Sequence, residues 1–220
     1  MRHYFNKGVG SLIYVGTFVM TFIFISRVDL ISLALERGAF DRSATLMVAN
    51  VLFVISLAII PYMFRDSITR LYYAFNDSKT PFYIAIGSIF LKVIFNSILT
   101  KPFGIYGIAL STVIITTINA TLLAFLIRKR ISIGYRHFLA QLVKILTCGA
   151  IAFISGFGIN HLFMMLIPES IIAKIIRILI VFILSAAIYI IAAYILKIEY
   201  LEDLKEKFEA KFFKKGGNNV

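Results

Sequence analysis

Six long apolar runs, separated by short polar stretches, dominate the amino-acid sequence. Each run approaches or exceeds the roughly 20 residues that an α-helix needs to cross the hydrocarbon layer of a membrane. Charged side chains are rare inside the runs, with Arg27 and Asp29 late in the first and Lys92 inside the third. We therefore predict an all-α, polytopic membrane bundle of six transmembrane helices, with spans at about 9–35, 44–74, 80–100, 103–127, 138–167 and 171–196.

The polar stretches between the runs carry residues that end and begin helices. Gly38 is suited to end the first span, and Asp41 or Ser43 can cap the second at its start. The second span is expected to continue as one helix beyond the membrane until the turn formers at Asn76. Pro81 then suits the first turn of the third span.

The segment 197–220 follows the last span and is predicted to be a cytoplasmic amphipathic tail. Its apolar residues recur at helical spacing, with lysines and glutamates between them. That pattern fits a helix lying on the inner membrane surface. A solvated helical tail that frays at its end fits the same pattern equally well.

The composition and the charge distribution agree with a membrane bundle and exclude a nucleic-acid-binding surface. Mean hydropathy is +0.91 and the formal net charge is +12. With six spans, 16 basic residues fall on the side of the two termini and six on the other side. The positive-inside rule then places both termini in the cytoplasm and explains the basic charge. Cys148 is the single cysteine and is expected to be a packing residue.

No arrangement of residues typical of catalysis or of cofactor binding is apparent. The sequence has no carboxylate pair, no nucleophile beside a base and no phosphate-binding loop, and its histidines lack the spacing of a metal site. We expect neither an enzyme nor a bound cofactor or metal. The expected partners are membrane lipids.

Four stretches of the sequence resemble those of a known family. They are "LERGAFDRSAT", "LYYAFNDSKTPFYIAIGS", "KPFGIYGIALST" and "NATLLAFLIRKR", and they follow one another in order between residues 35 and 130. In order and separation they resemble the C-terminal half of the MurJ (MviN) lipid II flippases of the bacterial inner membrane. The last two spans agree with that family only in placement and character.

The resemblance implies a fold and an activity. Family members belong to the multidrug/oligosaccharidyl-lipid/polysaccharide (MOP, MATE-like) exporter superfamily, with fourteen helices in two lobes. They move lipid II, the undecaprenyl-linked peptidoglycan precursor, from the inner to the outer leaflet. The six predicted spans correspond to the last six of the fourteen. The arginines that line the headgroup cavity of the family lie largely in the first eight.

Alternating access needs two lobes that move around a central site. We therefore expect this chain alone not to transport lipid II. A separately encoded N-terminal half, a fragment and a remnant that only packs against partners all stay open. A flippase part for another polyprenyl-linked polysaccharide is the nearest alternative within the same superfamily.

Lys92, Asn96 and Thr112 are the first group of candidate site residues. Asn96 lies four residues after Lys92, on the same helix face, and Thr112 lies on the next, antiparallel span. By resemblance, some family members hold a sodium ion between these two helices, and Lys92 falls where an oxygen ligand would be needed. We expect its ammonium to replace the metal and to donate to the oxygens of Asn96 and Thr112. The alternative is that Lys92 reaches outward or pairs structurally.

Arg65, Asp66 and Arg70 are the second group. Asp66 and Arg70 have the i, i+4 spacing of a helical ion pair near the inner end of the second span. Arg65 is a candidate to face the cavity mouth where an anionic pyrophosphate would enter. An interfacial anchor is the plainer interpretation of the same cluster.

Overall fold

The computed structural model describes residues 2–128, 135–166 and 170–198. These described residues form helices only, which confirms the all-α prediction, and six apolar spans follow one another as predicted. The predicted tail lies outside the described residues from position 199 onward. The helices are α1 (Arg2–Leu35), α2 (Arg42–Ser56), α3 (Ile59–Ala74), α4 (Lys79–Phe103), α5 (Ile105–Ile127), α6 (Tyr135–Leu166) and α7 (Ile171–Ile195).

The second span is broken into α2 and α3, so the prediction of one continuous helix is wrong. At the break, the backbone N–H groups of Leu57 and Ala58 donate to carbonyls three residues earlier instead of four. Pro61 explains the position of the break. It has no N–H to offer the carbonyl of Leu57, and in a continuous helix its ring would clash with that carbonyl. The apolar run conceals this break because proline is itself apolar.

The turns follow the chemistry of their residues. Asp41 is the N-cap of α2, and its carboxylate accepts from the backbone N–H of Ala44 and the hydroxyl of Ser43, both at 2.9 Å. These two hydrogen bonds, of which the one from the Ala44 backbone has the larger effect, hold the pKa of the Asp41 carboxyl below its usual value. Gly38 in the same turn and Asn76 in the turn between α3 and α4 adopt the left-handed backbone conformation, with φ of +57° and +56°.

Two helices organise the packing of the bundle. α1 contacts α2, α3, α6 and α7, whereas α5 contacts α2, α3 and α4. α4 packs almost entirely on α5 and barely touches α3. As a result, α4 stands at the edge of the bundle.

Two buried clusters hold these helices together. The first joins α1 to α6 and α7, where the Tyr14 and Tyr189 rings stack with centroids 4.7 Å apart and the Tyr189 hydroxyl donates to the Tyr14 carbonyl at 2.8 Å. Cys148 is buried in this cluster as a packing residue. The second joins α3 to α5, where the Tyr72 hydroxyl donates to the Leu123 carbonyl at 3.1 Å. This second cluster fixes α3 against α5 and so builds one wall of the candidate site.

Candidate functional site

A crevice opens between α3 and α4, with α5 as its floor. It consists of a cavity of about 640 Å³ near the α3–α4 turn and a smaller one of about 150 Å³ deeper along the helices. Arg65 and Asn119 line both cavities, so the two are adjacent. We call the two cavities together the crevice. The other polar side chains that line it are Asp66, Thr69, Tyr73, Ser78 and Lys79 in the larger cavity and Tyr62, Ser88, Lys92, Thr112 and Thr116 in the smaller one.

Arg65 is held in place at the junction of the two cavities. Its Nε and Nη2 donate to Oδ1 of Asp66 at 3.0 and 2.7 Å, and its Cζ lies 4.6 Å from the centroid of the Tyr62 ring. The Arg65 side chain keeps 30% of its surface exposed and that of Asp66 keeps 58%. An ion pair this exposed contributes little to stability. The guanidinium therefore stays available to a ligand that enters the crevice.

Arg70 does not join this site. Its side chain is exposed and does not line either cavity, and the ion pair that the structure gives Asp66 is with Arg65. Of the second predicted group, the structure brings Arg65 and Asp66 together and leaves Arg70 apart.

The first predicted group is also divided. Lys92 and Thr112 line the smaller cavity together, but Oδ1 of Asn96 accepts a hydrogen bond from the Ser111 hydroxyl. The Thr112 hydroxyl donates to the carbonyl of Ile108 at 3.2 Å, which leaves its oxygen able to accept another bond. Lys92 is exposed and forms no hydrogen bond or ion pair with the described residues.

Ser88 is a crevice residue that the sequence reasoning missed. Its hydroxyl donates to Oδ1 of Asn119 at 2.6 Å and links α4 to α5 where the two cavities meet. The signal was present in the spacing, because Ser88 lies one helical turn before Lys92 on the same face of α4.

A buried ion pair at the opposite end of the bundle was also missed. Arg177 on α7 donates through Nε to Oδ2 of Asp29 on α1 at 2.8 Å and through Nη2 to Oδ1. Only 3% of Asp29 and 5% of Arg177 is exposed. One turn away, the ammonium of Lys174 donates to the Ser32 hydroxyl at 2.7 Å. The sequence contained a signal for this pair. Asp29 lies six residues before the end of α1, Arg177 lies six residues after the start of α7, and the two helices are antiparallel.

The crevice is lined by side chains of the kinds that bind anions. Arg65, Lys79 and Lys92 bring three cations and Asp66 one carboxylate, beside several hydroxyls and an amide. Guanidinium and ammonium groups bind phosphate oxygens, the former in bidentate geometry. Asp29 and Arg177 are buried and bonded to each other, so this ion pair has a structural role.

Comparisons with known proteins bear on the family and the fold. A family model described as the lipid II flippase MurJ matches residues 2–177. The chain is similar to a probable lipid II flippase MurJ of a Synechocystis species, with 27% identity over 130 residues that cover 59% of this chain and 24% of that protein. A solved structure titled lipid II flippase MurJ, inward closed conformation, covers 92% of this chain with a TM-score of 0.70 and 24% identity, and it supports the fold. This chain spans 40% of that solved chain, so both matched proteins are much longer.

Proposed function

The chain belongs to the MurJ lipid II flippase family, and from that premise we propose that it forms the C-terminal wall of a passage that carries lipid II across the membrane. Its six apolar helices and its family make it a multi-pass protein of the inner membrane. We propose that the crevice is the part of that wall that faces the lipid headgroup.

The observation that carries this proposal is the position of Arg65. Its guanidinium lies at the junction of the two cavities and is held by Asp66 and Tyr62 without being buried. A pyrophosphate-linked headgroup brings anionic oxygens and sugar hydroxyls. The cations and hydroxyls of the crevice offer matching partners to both kinds of group.

The proposed orientation places both termini and the turn between α3 and α4 in the cytoplasm. The support for it is the excess of basic residues on that side of the six spans. The larger cavity lies beside this turn, lined by Ser78 and Lys79. In this orientation the headgroup would enter the crevice from the cytoplasm, the side on which lipid II would be loaded.

For Lys92 we propose the role of a tethered cation between α4 and α5. Its ammonium would donate to the oxygen of Thr112, which lines the same cavity. The Oδ1 of Asn96 already accepts from Ser111 and keeps a second lone pair, so a bond from Lys92 to Asn96 would be added to that one. Measurable sodium binding at this position in the purified protein would contradict the replacement of a metal ion by the lysine.

We propose further that the chain does not transport alone, because one wall does not enclose a passage. The helices that face the crevice would then come from a partner, such as a separately encoded N-terminal half. The alternatives are transport of another polyprenyl-linked polysaccharide and no transport at all. The following experiment separates lipid II transport from both.

Complementation of a flippase-depleted bacterium tests the proposal. The chain is expressed alone and together with an N-terminal half from the same source. Growth is expected only from the pair, and Arg65→Gln in the crevice should reduce it strongly whereas Arg70→Gln, outside the crevice, should not. Growth from the chain alone would contradict its incompleteness. Failure of a pair that is present in the membrane would contradict lipid II as the substrate.

A further inference from the structure

A second group of polar side chains lines a cavity between α1 and α6, at the end of the bundle opposite the α3–α4 turn. The cavity has a volume of about 140 Å³ and is lined by Arg27 and Asp29 of α1 and by Asn160 and His161 of α6. The rest of its lining is apolar and consists of Phe24, Ile25, Val28, Phe157 and Met164. Pockets for whole small molecules are typically about 300–1,000 Å³, so this cavity suits one small polar group.

Arg27 has donors that the described residues leave unused. Its Nη1 donates to the carbonyl of Phe24 at 2.7 Å, and its Cζ lies 4.9 Å from the centroid of the Phe53 ring. Its Nε–H is buried and has no hydrogen-bond partner among the described residues. The carboxylate of Asp29, in the same cavity, is bound by Arg177. Because a guanidinium carries five N–H donors, Arg27 can still bind an acceptor.

The direction of the Arg27 side chain does not fit a simple interfacial anchor. Arg27 lies eight residues before Leu35, the nearer end of α1. A long cationic side chain near the end of a span normally extends to water. Here the guanidinium turns the other way, to the carbonyl of Phe24, about one helical turn further from that end. A charge held in this position normally faces a cavity or an anionic partner.

Asn160 gives a second, independent observation. Its side chain lines the same cavity, only 7% of the residue is exposed, and its amide forms no hydrogen bond with the described residues. A buried amide in a protein normally has a hydrogen-bond partner. His161 lines the cavity as well and adds an N–H donor. Two polar side chains that lack partners in one cavity indicate a ligand that accepts hydrogen bonds from both.

The depth of the cavity in the membrane indicates which ligand is available. At about 1.5 Å per residue, α1 and α6 are each about 50 Å long, whereas the hydrocarbon core is about 30 Å thick. A centred helix of that length extends about 10 Å beyond the core at each end. Arg27 lies about 12 Å from the end of α1, and Asn160 about 9 Å from the end of α6. Both therefore lie near the boundary between hydrocarbon and headgroups, where the phosphates of phospholipids lie.

We infer that the cavity between α1 and α6 is a binding site for a phosphate group, with Arg27 and Asn160 as its donors. Guanidinium groups bind phosphate oxygens in bidentate geometry, and the Asn160 amide adds N–H donors. A phospholipid headgroup and free inorganic phosphate offer the same group. The apolar lining favours the phospholipid, because its chains can continue along Phe157 and Met164. The site is separate from the crevice, and the inference does not depend on the transport of lipid II.

Thermal unfolding in a phosphate-free neutral detergent tests the site. The purified chain is titrated with dioleoyl phosphatidylglycerol, with dioleoylglycerol, which has the same chains and no phosphate, and with inorganic phosphate against chloride at equal ionic strength. At ten times its dissociation constant, a phosphate ligand should raise the unfolding temperature by about 3–6 °C. We expect this rise with phosphatidylglycerol and little change with dioleoylglycerol. A rise with inorganic phosphate would show that the free ion enters too, and a rise with that ion alone would identify it as the ligand.

Three variants assign the effect to this cavity. Arg27→Gln removes the cation and should abolish the rise, and Asn160→Leu, which keeps the cation, should reduce it by at least half. Arg37→Gln removes an exposed cation near the same end of the bundle and should leave it unchanged. An equal rise in the wild type and in both cavity variants, or no rise beyond that with dioleoylglycerol and none with inorganic phosphate, would overturn the inference and would indicate that water fills the cavity. Because no transport is measured, these outcomes are independent of the complementation experiment.

Discussion

At the scale of single residues, the structure distinguishes a buried ion pair from an exposed one, which the sequence alone does not do. The pair of Asp29 and Arg177 is almost fully buried and bidentate, whereas that of Arg65 and Asp66 is partly exposed at a cavity. Burial determines what each pair can do, because a closed pair cannot bind a ligand and an exposed pair adds little stability. Spacing along one helix suggested Asp66 with Arg70, whereas contacts between helices depend on packing that no local pattern encodes.

The buried pair gives a prediction for stability. Arg177→Gln leaves the Asp29 carboxylate buried without its cation, and it should lower the free energy of unfolding by about 3–5 kcal/mol. The control Arg37→Gln, at an exposed position near the same end of the bundle, should change it by less than about 0.5 kcal/mol. Both are measured by thermal or denaturant unfolding in the same detergent. Replacing Asp29 and Arg177 together by leucine should recover much of the loss, and a double variant no more stable than Arg177→Gln would contradict this account.

At the scale of helices, the sequence indicated every apolar span and missed one break. Length and hydropathy were sufficient to predict the spans. A helix that crosses the membrane must be long enough to do so and apolar enough to leave water for lipid. The break at Leu57 and Ala58 depends on one proline, Pro61, whose effect on a helix is local and is hidden by its apolar character.

The hairpin of α4 and α5 gives a prediction at this scale. Gly104 has a φ of +55° at the turn, and a side chain on Gly107 would collide with the backbone of Leu99. Gly107→Ala should therefore destabilise the protein by about 1–3 kcal/mol, since rigid backbone must move. Gly87→Ala is the matched control, because open space surrounds Gly87 in the same helix pair. It should leave stability unchanged or raise it by up to about 1 kcal/mol. Equal unfolding temperatures for the two variants would contradict the close approach at Gly107.

At the scale of the whole molecule, the family and the helix bundle could be predicted from the sequence, and the crevice could not. The sequence alone indicates Lys92 as a charge inside an apolar run, Thr112 as its neighbour on the next span and Arg65 as a cation near the inner end of the second span. Their position around one pair of cavities depends on α3 and α4 packing on α5 while barely touching each other. That packing also gives Asn96 to Ser111 instead of Lys92.

Photo-cross-linking to lipid II tests most directly whether the crevice receives the lipid headgroup. A photoreactive amino acid replaces Thr69, which lines the larger cavity, or Val143, which is exposed on α6 as the control position. In membranes that contain lipid II with a radiolabelled headgroup, we predict a cross-linked product from position 69, little from position 143, and loss of the first product with Arg65→Gln. Equal labelling from both positions, or labelling that is insensitive to Arg65→Gln, would contradict the account.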